Sequence, residues 1–333
     1  MPAKKWIAAG LKITVSAALI WWLFGRIDVD TAMQHLTSAA PELIALSLLV
    51  LVVQITLGGL RWGAVLTAIQ APLDFATAIR LFYIGTFFNQ TLPSSVGGDA
   101  VRMYMAHREG LRPRHAIAGV MLERLVTVIA LVILVMAVQP WFLPKLDDAA
   151  QMLVASSIGI LAIGTLIGLV VLVMLDKLPS SVERWRIGRA VIGLGGDARR
   201  VFLSPKRAAI CLAYGVATHL NIGCFIYLLA MSMSIDIDLF DCLVLTPPVL
   251  LVTTLPISIA GWGVRELAMV EAFGLVAVAP EAATAISIMV GFVVLAFSIP
   301  GGLVWLASRG GDRRAAEAFA AQGGDSNDAG QDR

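Results

Sequence analysis

Two short segments of the chain carry residue types that bind anions. Residues 91–102 read TLPSSVGGDAVR and residues 254–265 read TLPISIAGWGVR, and seven of the twelve aligned positions are identical at an offset of 163. Proline breaks a helix, glycine permits a tight turn, and the free N–H groups of a restarting helix attract anions. Arg102 and Arg265 follow about one turn later and match the geometry of a phosphate. Each copy therefore predicts a phosphate-binding element, with Asp99 as the N-cap of the restarted helix in the first copy.

A second interpretation applies to both copies. The shared residues are also those of an ordinary helix start, the glycines could serve helix packing, and the arginines could snorkel to a membrane interface. For one arginine alone the two interpretations are equally good, but matching positions in both copies favour binding. The copies also differ, because Asp99 aligns with Trp262 and Met103 with Glu266. This difference predicts an asymmetric site that holds a phosphate on one side and a polar or cationic group on the other.

The composition of the chain is that of a membrane protein. Hydrophobic residues make up 58% of the 333 positions, charged residues only 14%, and the mean hydropathy is +0.84. A soluble domain is excluded by these values. The three cysteines have no metal-ligand spacing and predict no metal site. We also expect no cofactor and no nucleic-acid partner. The apolar run 7–24 is too long for a cleaved signal peptide and is interpreted as a membrane span.

Windows of about 20 residues predict six full membrane spans and two interrupted apolar segments. The interrupted segments, 75–107 and 239–277, each contain one TLP copy. Broken backbone is tolerated in a bilayer only where protein or a water-filled cavity surrounds it, so each is predicted to be a broken or re-entrant helical hairpin. The fold class is therefore an all-α polytopic membrane protein with eight hydrophobic segments. The full spans are approximately 7–24, 42–60, 115–138, 152–175, 208–231 and 281–307.

The distribution of basic residues predicts the topology. Lysine and arginine are concentrated in the connection 176–207, in 102–114 and near both chain ends, which places these regions in the cytoplasm. The first hairpin must then enter from the cytoplasmic side and the second from the opposite side. The polar tail 309–333 is predicted to be a disordered cytoplasmic segment.

The two TLP copies predict an inverted repeat. Three full spans separate the copies, and an odd number of crossings reverses orientation. The predicted membrane domain, 1–308, then consists of one unit at about 5–138 and a second at about 152–308, with 176–207 as an inserted loop. Inverted repeats permit alternating access, in which one half rocks against the other.

Further polar residues are candidates for the same cavity. Glu123 and Arg124 lie in a predicted span, where a charge is costly unless it is paired or hydrated. Their predicted partners are Arg80, Arg102 or Arg265, and a purely structural ion pair is the alternative. His219 is interpreted as hydrogen-bonded structure, with a proton relay as the alternative. The full set of candidate head-group or cavity residues is Asn89, Gln90, Pro93, Ser95, Gly97, Gly98, Asp99, Arg102, Glu123, Arg124, Pro256, Ser258, Gly261, Gly263, Arg265 and Glu266.

Both motifs resemble signatures of a known family. NQTLPSSVGGDAVR (89–102) and LPISIAGWGVRE (255–266) are similar to segments of the flippase-like transmembrane family, which includes the membrane domain of bacterial lysylphosphatidylglycerol synthases. The resemblance covers about 5–308. It implies that the chain moves, or helps to modify, a phospholipid or isoprenoid-linked lipid in the bacterial inner membrane. Full synthases carry a soluble aminoacyl-transferase domain, whereas this sequence ends in a short polar tail, so lysyl transfer is not expected of it.

Three function classes follow from the sequence. The first is a lipid flippase that binds a lipid with an anionic phosphate head group. The second is a membrane-embedded transferase, which lacks support because no nucleophile–base pair is evident and no enzyme activity is expected. The third is a non-catalytic subunit of a lipid- or glycan-modifying complex with a lipid-modifying enzyme as partner. A homodimer is compatible with each class.

Overall fold

The computed structural model describes residues 27–91, 97–179, 184–254 and 262–328, together with positions 14, 21–23 and 25; side chains are described as far as Ser308, apart from that of Arg186. All the regular structure in these residues is helical, with two short 3₁₀ turns at Leu143–Lys145 and Leu175–Lys177. The α-helices are α1 (Val29–Thr37), α2 (Pro41–Ala68), α3 (Phe75–Thr91), α4 (Gly97–Arg108), α5 (Pro113–Phe142), α6 (Asp148–Met174), α7 (Arg186–Phe202), α8 (Pro205–Ser232), α9 (Leu239–Thr253), α10 (Val264–Gly274) and α11 (Pro280–Asp328).

Five of the described helices are long and apolar enough to cross a membrane: α2, α5, α6, α8 and α11 as far as Ser308. They coincide with five predicted spans, and the all-helical membrane fold is confirmed. The remaining predicted span, 7–24, lies outside the described residues except for isolated positions.

Proline sets the start of four spanning helices. Pro41, Pro113, Pro205 and Pro280 each occupy the first position of a helix. The first turn of a helix has no use for the missing N–H, and the proline ring fixes φ near the helical value. α6 begins differently, because the carboxylate of Asp147 accepts a hydrogen bond from the N–H of Ala150 at 2.7 Å.

Both TLP copies lie between two packed helices. α3 and α4 flank 92–96, α9 and α10 flank 255–261, and the helices of each pair contact each other. The break points themselves lie outside the described residues, and the re-entrant character of the hairpins stays a prediction. The helices restart at Gly97 and Val264, close to the predicted positions. Gly263 precedes the second restart with φ of 87°, which favours glycine.

The first pair of helices is held together by backbone contact. A Cβ atom added to Gly98 would lie 1.9 Å from the carbonyl oxygen of Gly85. The side-chain oxygen of Asn89 accepts a hydrogen bond from the N–H of Gly98 at 3.0 Å. The absence of a side chain at Gly98 therefore lets α4 lie directly against α3.

The basic connection 176–207, predicted as an inserted loop, is largely helical. α7 places Val191, Leu194, Ala198 and Val201 on one face at spacings of three or four residues. That face packs on the membrane helices, where Ala198 and Val201 are fully buried. The density of arginines conceals this periodicity in the sequence.

The first turn of α5, which follows the connection from α4, contacts α7. The guanidinium of Arg114 donates to Asp197 at 3.4 Å, and the Asp197 side chain is fully buried. The two basic connections are therefore on the same face of the molecule, as the charge distribution predicts. That this face is cytoplasmic stays a prediction.

The helix α11 extends beyond the predicted membrane domain. Its backbone is helical as far as Asp328, in contrast to the disordered tail predicted for 309–333. The segment RRAAEAFAAQ contains strong helix formers, which gives a local reason for the difference. Residues 329–333 lie outside the described part of the chain.

Two apolar cores hold the bundle together. Phe225 and Phe273 are fully buried in a core built by α5, α8, α9, α10 and α11. Trp62 and Leu66 are fully buried in a second core that joins α2, α3, α4 and α5. α6 lies at the periphery and buries only Ile158 among its residues. Its apolar surface is that of a helix surrounded by lipid.

Candidate functional site

Five charged residues from three helices form one cluster, which we call the charge cluster: Arg61, Asp99, Arg102, Glu123 and Arg124. The first four of these residues are buried. Glu123 is 1% exposed. Its Oε1 accepts from Nε and Nη2 of Arg61 at 2.9 and 2.6 Å, and its Oε2 accepts from Nη2 of Arg102 at 2.8 Å. Asp99 accepts two hydrogen bonds from Arg124, from Nε at 2.7 Å and from Nη2 at 2.9 Å.

The helix contacts determine where these groups meet. The close approach of α4 to α3 places Arg102 over the rings of Trp62 and Phe82, with 4.7 and 5.1 Å between the guanidinium carbon and the ring centroids. Such stacking stabilises a desolvated guanidinium. Arg61 reaches in the other direction, where its Nη1 donates to the hydroxyl of Thr218 on α8 at 2.6 Å. The charge cluster therefore links both halves of the chain.

The charge cluster carries an excess of positive charge. Three guanidiniums face two carboxylates, and every one of the five side chains takes part in an ion pair. Charged groups at membrane depth are costly, and pairing removes most of the cost. One positive charge is left without a balancing carboxylate inside the cluster, so an anion entering the site would neutralise it.

A cavity of about 700 Å³ adjoins the charge cluster. It lies between α4 and α5 on one side and α8 and α9 on the other, and most of its wall is apolar. Its volume and wall would accommodate the head group and part of the acyl chains of a lipid. The lining residues are Asp99, Met103, Val120, Met121, Arg124, Thr127, Val128, Leu131, His219, Ile222, Leu250, Thr253 and Thr254.

Arg124 presents the positive charge of the cluster to the cavity. Its side chain is 49% exposed, whereas that of Arg102 is 3% exposed. Asp99 holds Nε and Nη2 of Arg124, and Nη1 donates to no acceptor among the described residues. The guanidinium is therefore fixed in orientation and keeps a free donor edge, which suits an oxyanion.

The second TLP copy builds a smaller cluster. Arg265 donates from Nη2 to Oε1 of Glu266 at 2.9 Å and from Nε to the hydroxyl of Ser287 on α11 at 3.0 Å. Oε2 of Glu266 accepts from the N–H of Gly263 at 2.5 Å. The guanidinium of Arg265 lies 4.9 Å from the ring centroid of Trp262, and its side chain is 16% exposed.

The structure brings together only part of the predicted site. Asp99, Arg102, Glu123 and Arg124 meet in the charge cluster. Asp99 is not the predicted N-cap, because α4 begins at Gly97 and the Asp99 carboxylate is occupied by arginines. Asn89 lines a space of about 30 Å³ beside the charge cluster, near the helix start at Gly97 and Gly98, while no described hydrogen bond or cavity involves Gln90. Gly263, Arg265 and Glu266 form the separate cluster. Pro93, Ser95, Pro256, Ser258 and Gly261 lie outside the described residues.

Of the partners predicted for Glu123, the structure selects Arg102. Arg80 instead pairs with Glu109 at 2.5 Å, and Arg265 pairs with Glu266. Sequence reasoning missed Arg61, the second partner of Glu123. A lone arginine late in an apolar span signals a buried ion pair on its own, because an unpaired charge there is too costly.

His219 and the threonines of the cavity wall were also outside the predicted set. Nε2 of His219 bonds the carbonyl oxygen of Thr127 at 3.1 Å, in agreement with its interpretation as hydrogen-bonded structure. No pattern in the sequence indicates that His219 lines a cavity. No three His, Cys, Asp or Glu side chains in the described ranges come close enough to share a metal ion.

Comparison with known proteins gives one family. The family model described as the lysylphosphatidylglycerol synthase TM region matches residues 9–302, which covers all described helices up to the last span. No curated protein sequence matches the chain. The match agrees with the motif resemblance and with the multi-pass helical architecture. The chain therefore belongs to the family of lysylphosphatidylglycerol synthase transmembrane regions, membrane domains that are associated with lipid modification.

Proposed function

We propose that the chain is a lipid flippase, which moves a phosphate-bearing phospholipid or isoprenoid-linked lipid across the bacterial inner membrane by alternating access. One observation carries the proposal: a mostly apolar cavity of about 700 Å³ holds the half-exposed guanidinium of Arg124, which belongs to a cluster with excess positive charge. An apolar wall with one fixed cation matches a molecule with acyl chains and an anionic head group.

The lengths and positions of equivalent helices support two repeated units. α2 and α8 both contain 28 residues and both begin with proline, at Pro41 and Pro205, which are 164 positions apart. A residue with positive φ follows each helix, Gln70 at 62° and Ser234 at 53°, again 164 positions apart. α3 and α9 begin at the same offset, at Phe75 and Leu239.

The packing of α2 on α8 supports inversion of these units. The N–H of Ala40, at the start of α2, donates to the carbonyl of Ser232, at the end of α8, at 2.7 Å. Farther along, the amide of Asn221 donates to the side chain of Gln54 at 2.9 Å. The residue numbers run in opposite directions, so the two helices are antiparallel. A two-fold axis in the membrane plane reverses the direction of each helix, so equivalent helices related by it are expected to run antiparallel.

The units also exchange packing partners. α3 of the first unit packs on α11 of the second, where the hydroxyl of Tyr83 donates to the carbonyl of Phe297 at 2.6 Å. The equivalent α9 packs on α5 of the first unit, where the rings of Trp141 and Phe240 lie 6.0 Å apart. Each broken helix is thus seated on the last span of the other unit, an arrangement that permits one unit to rock against the other.

In the proposed mechanism the head-group phosphate binds Nη1 of Arg124. Asp99 keeps the guanidinium oriented, and the incoming phosphate neutralises the excess charge of the cluster. Acyl chains follow the apolar wall formed by residues such as Val120, Val128 and Leu250. Rocking of the units then carries the cavity from one leaflet to the other. This lowers the cost of moving a phosphate through hydrocarbon, because the head group stays paired with a cation.

Arg102 and Arg265, the phosphate contacts expected from the sequence, have different roles in this proposal. Both guanidiniums pair with a carboxylate and stack on a tryptophan, and both bond the span that follows their TLP copy. These contacts tie each broken helix to its own unit. In this proposal Arg124 binds the phosphate, because its guanidinium has a free donor edge.

A second candidate function is supported by the family itself. The matching model describes the membrane region of a synthase, so the same cavity could hold a lipid for a lipid-modifying enzyme partner. Such a subunit would need the charge cluster and the cavity but not a complete transport cycle.

Reconstitution into liposomes separates these candidates. The full chain is incorporated with lipids that carry a fluorescent acyl chain, and a membrane-impermeant reductant reports the rate at which label reaches the outer leaflet. A flippase accelerates this exchange over protein-free liposomes. Chromatography of the same lipids detects any new product, which would indicate a transferase. Absence of both exchange and product in folded wild-type protein contradicts the flippase proposal and favours the subunit.

A further inference from the structure

The polar wall of the cavity is almost exclusively a hydrogen-bond acceptor. The hydroxyls of Thr127, Thr253 and Thr254 donate to the carbonyls of Glu123, Leu250 and Leu251 at 2.9, 2.8 and 2.6 Å. Each hydroxyl has one proton, so only its oxygen lone pairs are left for a ligand.

His219 lines the same cavity and carries a buried acceptor. Its Nε2 lies 3.1 Å from the carbonyl oxygen of Thr127, and a carbonyl can only accept, so Nε2 carries the proton. Nδ1 has no hydrogen-bond partner among the described residues, although the side chain is only 6% exposed. An unpaired polar atom at this depth is costly and calls for a ligand or water.

The surroundings of His219 favour its neutral imidazole. Arg61 on α2 acts electrostatically on His219, and Arg124 on α5 lines the same cavity. The carboxylates of Asp99 and Glu123 are both taken by arginines. No carboxylate of the described residues bonds His219. A protonated ring would add an unpaired cation to a site that already carries excess positive charge. Nδ1 therefore presents a lone pair.

The cavity thus offers one donor group and several acceptors. Among its described lining side chains, only Arg124 retains an unused donor. A complementary head group has an anionic oxygen for Arg124 and at least one hydrogen-bond donor for the opposite wall. A phosphate with a purely alkyl or quaternary substituent would leave Nδ1 of His219 unpaired.

We infer that His219 is a specificity-determining residue that selects phospholipids whose head group carries a hydroxyl or ammonium donor beyond the phosphate. The inference rests on the proposed lipid-transport function. Hydroxyl and ammonium groups satisfy the same acceptor, and lipids of equal charge separate the donor effect from electrostatics.

The experiment measures transport of lipid pairs that differ only in donors. The first pair is phosphatidylglycerol and phosphatidylethanol, both singly anionic, of which only the former has hydroxyls. The second is phosphatidylethanolamine and phosphatidylcholine, both zwitterionic, of which only the former has N–H donors. Wild-type protein is expected to move the donor-bearing lipid about two- to ten-fold faster in each pair, the range of a neutral hydrogen bond. If the preference occurs in only one pair, the recognised donor is the hydroxyl for the first pair or the ammonium group for the second.

Two variants assign this preference to His219. In His219→Phe the acceptor is lost, and the rate ratio within each pair should fall to about one. In His219→Gln the amide N–H can donate to Thr127 and the amide oxygen can accept, so the ratio should be retained. A merely structural role would change the rates of both lipids together and leave the ratio unaltered.

The outcomes distinguish this inference from the proposed function. If wild-type protein moves phosphatidylglycerol and phosphatidylethanol equally fast, and likewise the zwitterionic pair, selection by donors is wrong while transport stands. If folded His219→Phe keeps the wild-type ratio of the two transport rates, another residue selects the lipid, and the inference is overturned. If wild-type protein moves no lipid, the proposed function fails, and the inference fails with it. The ratios of transport rates measured with wild-type protein test the selection by donors even when a variant does not fold.

Discussion

Asp99 and Arg124 form a two-point ion pair across the α4–α5 contact, with Nε–Oδ2 of 2.7 Å and Nη2–Oδ1 of 2.9 Å. The pair uses one edge of the guanidinium and leaves the other towards the cavity. Asp99 also faces Nη2 of Arg102 at 3.3 Å, so one carboxylate orients the cavity cation and joins it to the buried cluster. The Asp99 carboxylate on α4 therefore leaves Nη1 as the atom of the Arg124 guanidinium that a ligand can reach.

Glu123→Gln should be strongly destabilising. The substitution leaves Arg61 and Arg102 buried without their carboxylate, and breaking a buried pair costs about 3–5 kcal/mol. Thermal unfolding in detergent should show a marked decrease in the transition temperature. The double variant Glu123→Gln/Arg61→Gln removes one orphaned cation and should recover part of the loss. A single variant as stable as wild type would contradict the structural role of the cluster.

Gly98→Ala should separate α3 from α4. Its added methyl would lie 1.9 Å from the carbonyl oxygen of Gly85, a backbone atom that cannot move without shifting the helix. Overpacking of this kind costs about 1–3 kcal/mol. Gly164→Ala is the matched control, since an added Cβ at that position meets no atom within 4 Å. Equal thermal stabilities of the two variants would show that the helices do not touch at Gly98.

Val128→Trp should block transport without unfolding the protein. Val128 lines the cavity on α5, and an indole there would occupy space needed by a lipid. Ile133→Trp places the same ring on an exposed position of the same helix and should leave the lipid exchange rate unchanged. Both rates are measured in liposomes with equal protein content. Normal exchange by Val128→Trp would exclude this cavity as the lipid path.

Cysteines introduced at Glu109 and at Lys206 should be labelled from the same side of the membrane. Arg114 contacts Asp197 across these two connections, so they share one face of the molecule. The native Cys211 and Cys242 are buried and Cys224 is half-buried, so labelling of the wild-type chain provides the background to subtract. An impermeant maleimide applied to oriented vesicles provides the measurement. Labelling of the two sites from opposite sides would overturn the architecture.

Much of the fold follows from the sequence because hydrophobic length and proline position are local signals. The span predicted at 208–231 corresponds to α8, and Pro205 fixes its start. α7 escaped prediction because its apolar face is narrow and its arginines dominate the composition. The glycine pair predicts a helix restart near Gly98, and the helix begins at Gly97. The predicted cap is wrong, because the Asp99 carboxylate binds Arg124 on another helix.

The sequence identifies some members of the charge cluster but misses Arg61, and it leaves the pairing open. Glu123 and Arg124 are conspicuous in an apolar span, so the sequence identifies both. Adjacent residues on a helix point in directions about 100° apart, and only tertiary packing decides that Glu123 faces the interior and Arg124 the cavity. The donor and acceptor pattern around His219 depends on contacts between helices and has no counterpart in the sequence.

The most direct measurement is the lipid exchange rate of Arg124→Gln in liposomes, compared with that of Arg207→Gln. Arg207 is an exposed arginine near the start of α8, away from the cavity, and its variant controls for the loss of one positive charge. Loss of a charge-assisted hydrogen bond to the phosphate should slow exchange about ten-fold or more in Arg124→Gln, whereas Arg207→Gln should match wild type. Wild-type exchange by a folded Arg124→Gln protein would contradict phosphate binding in this cavity.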